Sequence, residues 1–194
     1  MADGKGPERT TAAVPDVGRA LRWAIGVLRD AGCDSPSLDA QVLLGHLLGW
    51  SRARVLAHPE VGLSPSQQEA YRRLGARRAA REPLAYVIEQ RAFWGMDFWV
   101  WPGVLIPRPA TELLVERALA WAVERGGRDW GGTVVDVGTG SGAVVVALAR
   151  ELPRARFWAT DASAEALRVT RENRRRHGVA GRVTLAQGDL LEPV

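Results

Sequence analysis

At 194 residues with 46% hydrophobic side chains, the chain has room for one large domain or two small ones. No stretch has the uninterrupted apolar length of a membrane span. Its single cysteine, Cys33, excludes an internal disulfide and a Cys-based zinc site. The formal net charge of +4 comes almost wholly from arginine, Lys5 being the sole lysine. That balance suits either a nucleic-acid or ribonucleoprotein partner or a G+C-rich genome, which raises Arg, Ala, Gly and Val together; the second reading is preferred.

The opening "MADGKGPERTTAAVPD" lacks the apolar core of a signal peptide. Residues 1–15 are expected to form a disordered lead-in, and the protein is expected to be cytoplasmic, without membrane contact, and monomeric. Residues 16–88 read as a small helical bundle. In "DVGRALRWAIGVLRDAG", Val17, Leu21, Ile25 and Leu28 share one helical face and Gly32 marks a stop. Ser35 before Pro36 predicts a capped second helix, "SRARVLAH" a short one, and Ser64 with Gln67 a capping box on another. Arg72, Arg73, Arg77, Arg78 and Arg81 crowd that last helix. They read as a solvated face, with docking of an acidic partner as the alternative.

The pattern changes at Pro83. In "AFWGMDFWVWPGVLIP", Phe98 and Val100 alternate with Trp99 and Trp101, the mark of a β-hairpin with a loose turn at Gly95–Asp97. Residues 89–106 are accordingly expected to be a hairpin linker, its tryptophans packing between two domains. A helix follows from Thr111 to about Gly126. Then come strand, helix, strand, helix, strand, in "TVVDVG", "SGAVVVALARELP", "ARFWATD", "SAEALRVTRENRRRHG" and "RVTLAQGD". Such alternation requires parallel strands with right-handed crossovers, so residues 107–194 are expected to be α/β, with only three strands and one side of the first strand uncovered.

Gly138, Gly140 and Gly142 sit between the first of these strands and its helix. Lacking Cβ atoms, they allow a sharp turn and close approach of a ligand to the main chain. The spacing is G-x-G-x-G, with Ala143 where a dinucleotide fingerprint would place its last glycine, which argues against a nicotinamide dehydrogenase. No lysine follows, so the turn is not a P-loop. Asp161 ends the second strand, where a carboxylate can accept hydrogen bonds from both ribose hydroxyls, and Asp189 ends the third, within reach of an adenine amine. The competing reading of each is a helix-capping residue, with Ser163 a rival cap. Together with the glycines they outline an adenosine-shaped site. His46, His58 and His177 lack metal-ligand spacing, and no metal site is assigned.

"DVGTGSG" followed by Asp161 resembles motif I and its acidic partner in class I S-adenosylmethionine-dependent methyltransferases. The segment Arg81–Leu119, with "LIPRPATE", is similar to the hinge of the release-factor glutamine methyltransferases, the HemK/PrmC family. The resemblance runs from about Val17 onward. It implies a Rossmann-like methyltransferase domain preceded by a helical domain that recognises the substrate, with peptide chain release factors as partners near the ribosome and its RNA. It implies S-adenosyl-L-methionine as cofactor, held by Gly138, Thr139, Gly140, Ser141, Gly142, Asp161, Asp189 and Leu190; Arg108, Thr111, Glu112 and Asp136 are expected to line the pocket, with an interdomain ion pair as the alternative for Arg108 and Glu112. The reaction implied is methyl transfer to the side-chain amide nitrogen of glutamine in a Gly-Gly-Gln motif.

Three departures stand out. Ala110 replaces the acidic residue usual before Thr-Glu, and Glu89 stands where glycine is common. The family's catalytic Asn-Pro-Pro-Tyr is absent from the 194 residues, whose only asparagine is Asn173. No catalytic residue is therefore assigned, and the chain is expected to be the front portion of a longer methyltransferase, inactive alone. The alternatives are a nucleic-acid methyltransferase acting on an adenine or guanine amine, and a non-catalytic adenosine-binding or interaction module.

Overall fold

The structure, a computed structural model, describes residues 16–194, and the lead-in assigned to residues 1–15 lies outside the described residues. The chain divides between Ile88 and Glu89 into two compact units. In the first, α1 (Val17–Asp30), α2 (Pro36–Leu48), α3 (Arg52–Ala57), α4 (Pro65–Ala79) and the short α5 (Leu84–Val87) form a bundle in which α1, α2 and α4 pack mutually. On α1 the buried stripe is Val17, Ala20, Leu21, Ala24 and Leu28; Ile25 lies at its edge, half-buried. Ala24 takes the central place because a methyl group admits the neighbouring helices closely. The capping box of Ser64 and Gln67 forms as the sequence indicates, whereas Ser35 occupies the cap position of α2 without a side-chain bond. There the pre-set φ of Pro36 opens the helix instead.

The arginines of α4 and its exit make contacts within the first unit. Arg78 pairs with buried Asp39 at 2.7 Å, and Arg77 holds Glu82 at 2.8 Å while also donating to the Val87 carbonyl. Arg81 donates to the Gly32 carbonyl, and Arg72 and Arg73 face Glu69. The guanidinium of Arg77 holds the Glu82 carboxyl below its usual range.

The second unit opens with an antiparallel hairpin, β1 (Gln90–Phe93) and β2 (Met96–Trp99). Its turn is tight, not loose: Trp94 and Gly95 alone connect the strands, at φ of +52° and +66°. Two successive positive φ values match the right-handed strand twist, and Asp97, expected in the turn, belongs to β2. The alternation holds, Phe98 and Val100 being buried and Trp99 and Trp101 half-buried. The tryptophans find partners inside this unit. The Trp94 indole donates to Glu151 at 3.2 Å and the Trp101 indole to Glu165, while Arg176 and Arg168 stack on Trp99 and Trp101. With Phe93 and Phe98 in its core, the hairpin is part of this unit rather than a free linker.

A 3-10 turn at Pro109–Thr111 leads into α6 (Glu112–Gly126). Next come β3 (Thr133–Val137), α7 (Ala143–Glu151), β4 (Arg156–Asp161), α8 (Ala164–Arg176) and β5 (Val183–Gln187). The strands form one parallel sheet in the order β3-β4-β5. The crossover helices α7 and α8 touch each other and pack against the sheet. Register puts Val134, Phe157 and Val183 in one row toward these helices, and Ala159 and Leu185 in the next. The row of Val135, Trp158 and Thr184 points the other way and is less buried. The fold is thus α/β and Rossmann-like, with β3 at the sheet edge among the described residues.

Candidate functional site

All three strands end on the side where α7 and α8 begin, so the polar residues after them converge at the carboxyl edge of the sheet. Gly138, Gly140 and Gly142 have φ of +71°, +57° and +77°, a region closed to most side chains. Their environments differ. A Cβ on Gly138 would meet nothing within 4 Å, and one on Gly140 only the Gly138 carbonyl at 4.0 Å, so the front of the turn is open. At Gly142 a Cβ would lie 2.7 Å from Cγ2 of Thr170, so this glycine exists to let α8 pack against the turn. The turn is bound to β4 through the Thr160 carbonyl, which accepts from the amides of Gly138 and Thr139, both at 2.9 Å.

Asp161 joins the turn directly. One carboxylate oxygen accepts from the Gly140 amide at 2.9 Å, and the other from the Ser163 amide at 2.9 Å. The cap of α8 is Ser163, which accepts from the Ala166 amide at 3.2 Å, so the capping reading fits Ser163 and leaves Asp161 facing the crevice. A carboxylate has about four lone-pair sites, which leaves Asp161 capacity for two further donors. Asp189 lies across the same recess, a cavity of about 180 Å³ lined by Val137, Gly138, Thr160, Asp161, Ala162, Gly188, Asp189 and Leu190. Leu190 has φ of +46° and an exposed side chain, while its carbonyl accepts from the Thr160 hydroxyl at 2.9 Å.

A second cavity of about 210 Å³ meets the first at Val137 and Gly138. Leu105, Pro107, Arg108, Thr111, Leu114 and Asp136 line it, with the turn itself from Gly138 to Ser141. Asp136 accepts from the Thr139 hydroxyl at 2.7 Å. Burial pushes its carboxyl above the usual range; bonds from Thr139 and the Val145 amide oppose this, and the nearby Asp161 charge adds to it. Glu112 is placed differently from the sequence reading. It does not line either cavity but accepts from the Trp94 amide at 2.8 Å, fastening the hairpin turn to α6. Thr111 makes no side-chain cap for α6, so with Ala110 in the preceding position this helix begins without a carboxylate or hydroxyl cap. Glu89 occupies φ of +54°, which accounts physically for a glycine being common there.

Sequence reasoning passed over Asn173 and Thr170. Asn173 is fully buried and contacts both the turn and the hairpin, and the Thr170 hydroxyl donates to the Gly140 carbonyl at 2.9 Å. The signal available was a lone asparagine and a threonine on the buried stripe of an otherwise charged helix. A larger cavity of about 420 Å³ lies in the first unit, lined by His46, Leu47, Ala70, Arg73, Leu74 and Arg77. It gathers no carboxylate or glycine turn and is not the candidate site. Among the described residues no helix is long and apolar enough to cross a membrane.

Two parts of the chain match known family models. Residues 19–88 match the PrmC N-terminal domain, and residues 134–193 match a methyltransferase domain. A release factor glutamine methyltransferase from Moorella thermoacetica is 45% identical over 176 residues, covering 91% of this chain and 61% of that protein. Its namesake from Bordetella pertussis is 46% identical over 166 residues, covering 86% and 58%. The Geobacter sulfurreducens one is 40% identical over 176 residues, covering 91% and 59%. Among solved structures, an RNA methyltransferase from Salinibacter ruber in complex with S-adenosyl-L-homocysteine gives a TM-score of 0.38 at 31% identity, over 45% of this chain and 52% of that one. The chain therefore spans about three-fifths of the length of the curated relatives it matches. Over the residues it shares with them, the chain is similar to release factor glutamine methyltransferases, one part of it matching a PrmC N-terminal domain and another a methyltransferase domain.

Proposed function

We propose that the second unit holds S-adenosyl-L-methionine across the glycine turn, for transfer of its methyl group to the side-chain amide nitrogen of glutamine in the Gly-Gly-Gln motif of a peptide chain release factor. The observation that carries the donor site is the open-fronted turn whose central amide, on Gly140, is bonded to the carboxylate that closes the neighbouring strand. Asp161 accepts from the ribose hydroxyls with its remaining lone pairs, and Asp189 faces the adenine amine beside the exposed Leu190. In the adjoining cavity Asp136 and Arg108 offer opposite charges to the ammonium and carboxylate of the donor's amino-acid end. Thr111, Thr139 and Ser141 complete the surround.

When bound, the donor supplies an electrophilic methyl on a sulfonium. Transfer of that methyl to the glutamine nitrogen would leave S-adenosylhomocysteine and pass one amide proton to water, with Asp161, Asp189, Asp136 and Arg108 being the residues that would hold the donor for it. A glutamine amide is a weak nucleophile because its lone pair is delocalised, so positioning and water exclusion supply most of the acceleration. What this unit contributes is a fixed donor: main-chain amides and carboxylates set in place before the acceptor arrives. The helical first unit is the part that recognises the release factor.

The test is an assay of the product of the gene encoding this chain with labelled donor and release factor, read by peptide mass spectrometry. A methyl group on the glutamine of Gly-Gly-Gln supports the proposal. Label in ribosomal RNA, or none on glutamine, overturns it in favour of a nucleic-acid acceptor or a binding module.

A further inference from the structure

Asn173 is buried without any exposed surface inside a helix whose other polar residues mostly face solvent. Its carboxamide is fully used. The oxygen accepts from the Trp99 amide at 2.8 Å, and the nitrogen donates to the Trp99 carbonyl at 2.9 Å and to the Ser141 carbonyl at 2.8 Å. The first two bonds treat the edge of β2 as a neighbouring strand would. The third reaches into the glycine turn.

These contacts have a geometric consequence. Trp99 is the last residue of β2, and from it the chain runs through Val100 and Val104 to Leu105, Pro107 and Arg108, one wall of the larger of the two site cavities. Ser141 belongs to the wall that the glycine turn forms in the same cavity. We infer that Asn173 is a positioning residue that registers these two walls against each other and so sets the width of the donor site. Thr170, one turn earlier on α8, bonds the Gly140 carbonyl and holds the turn alone.

The donor part of this inference rests on the proposed function; the pinning does not. Asn173→Asp keeps size and the acceptor for Trp99 but replaces two donated bonds by oxygen–oxygen repulsion. Thr170→Val removes the turn-side bond only. Amide hydrogen–deuterium exchange of the 194-residue protein is followed in peptides covering residues 99–108, 138–143 and 156–161. In Asn173→Asp the first two are expected to speed up together, by about tenfold or more, with residues 156–161 unchanged. In Thr170→Val only residues 138–143 should do so. Acceleration of one wall alone in Asn173→Asp, or of neither, overturns the inference, as does uniform acceleration that includes β4. Should Asn173→Asp fail to fold, Asn173→Ser, which can no longer span both partners, takes its place in the same comparison. Calorimetry with S-adenosylhomocysteine is run beside it, with a loss of about tenfold in affinity expected for Asn173→Asp. Absence of binding by the unaltered protein would count against the donor site while leaving the exchange result to decide the pinning.

Discussion

The three glycines show how one residue type answers different demands. Gly138 needs its positive φ and nothing else, since a Cβ there meets open space. Gly142 needs both its φ and the room taken by Thr170. Alanine at 138 is therefore expected to cost about 1–2 kcal/mol of stability from backbone strain alone. Alanine at 142 should cost more, about 2–4 kcal/mol, through added overlap, and Thr170→Ser should recover part of that loss. Denaturant unfolding checks both; equal losses at the two positions would contradict the packing role of Gly142. Asp136 offers a pH signature. Its carboxyl titrates above the ordinary range because it is buried, and a cationic ligand group beside it favours the ionised form. Donor binding is thus expected to release a proton and to tighten as pH rises through that raised value. Asp136→Asn should abolish the pH dependence, measurable by calorimetry in buffers of different ionisation enthalpy.

Among the elements, the hairpin and α8 form the seam on which the site depends. His177, just past α8, donates through Nε2 to the Asp97 carbonyl at 3.0 Å and lies 4.9 Å from the ring of Phe98. Burial lowers its pKa, helped by Arg176 and Arg150 and opposed by the Asp97 bond. The folded state therefore disfavours the charged ring. This contribution is present above the unfolded value near 6.5 and is lost as pH falls through 6.5 toward the lowered folded value. His177→Gln, which keeps a donor but does not titrate, should show a smaller drop in Tm between pH 8 and pH 5.5 than the unaltered protein. An equal drop would remove His177 as the cause. Strand and helix order, the glycine turn and the strand-end aspartates were legible because each rests on local periodicity or on a residue with one conformational use. Asn173 was not, because its partners lie 32 and 74 residues away and helical spacing says nothing about them. Glu112 was misplaced for the same reason: proximity in sequence to "PRP" suggested the pocket, while its bond runs 18 residues back to the hairpin turn. The tight turn was missed because Trp94 is an unusual occupant of a left-handed position.

At the scale of the molecule, the chain divides into two compact units, and the proposed recognition and donor binding are assigned to different ones. The buried Asp39–Arg78 pair belongs wholly to the first, with both side chains largely out of solvent. Removing one partner leaves an uncompensated charge, so Asp39→Ala is expected to destabilise that unit by about 3–5 kcal/mol. Affinity for S-adenosyl-L-methionine in the second unit should stay within about twofold, since the pair and the crevice share no residue or hydrogen-bond partner. Loss of donor binding in that variant would show that the two units are energetically coupled. The central claim concerns the crevice where the glycine turn meets Asp161, and a crystal structure of the protein with S-adenosylhomocysteine addresses it directly. The ribose hydroxyls are predicted to lie within hydrogen-bond distance of the Asp161 carboxylate, with the amino-acid end beside Asp136. A nucleoside bound elsewhere, or one whose sugar makes no contact with Asp161, would contradict the account.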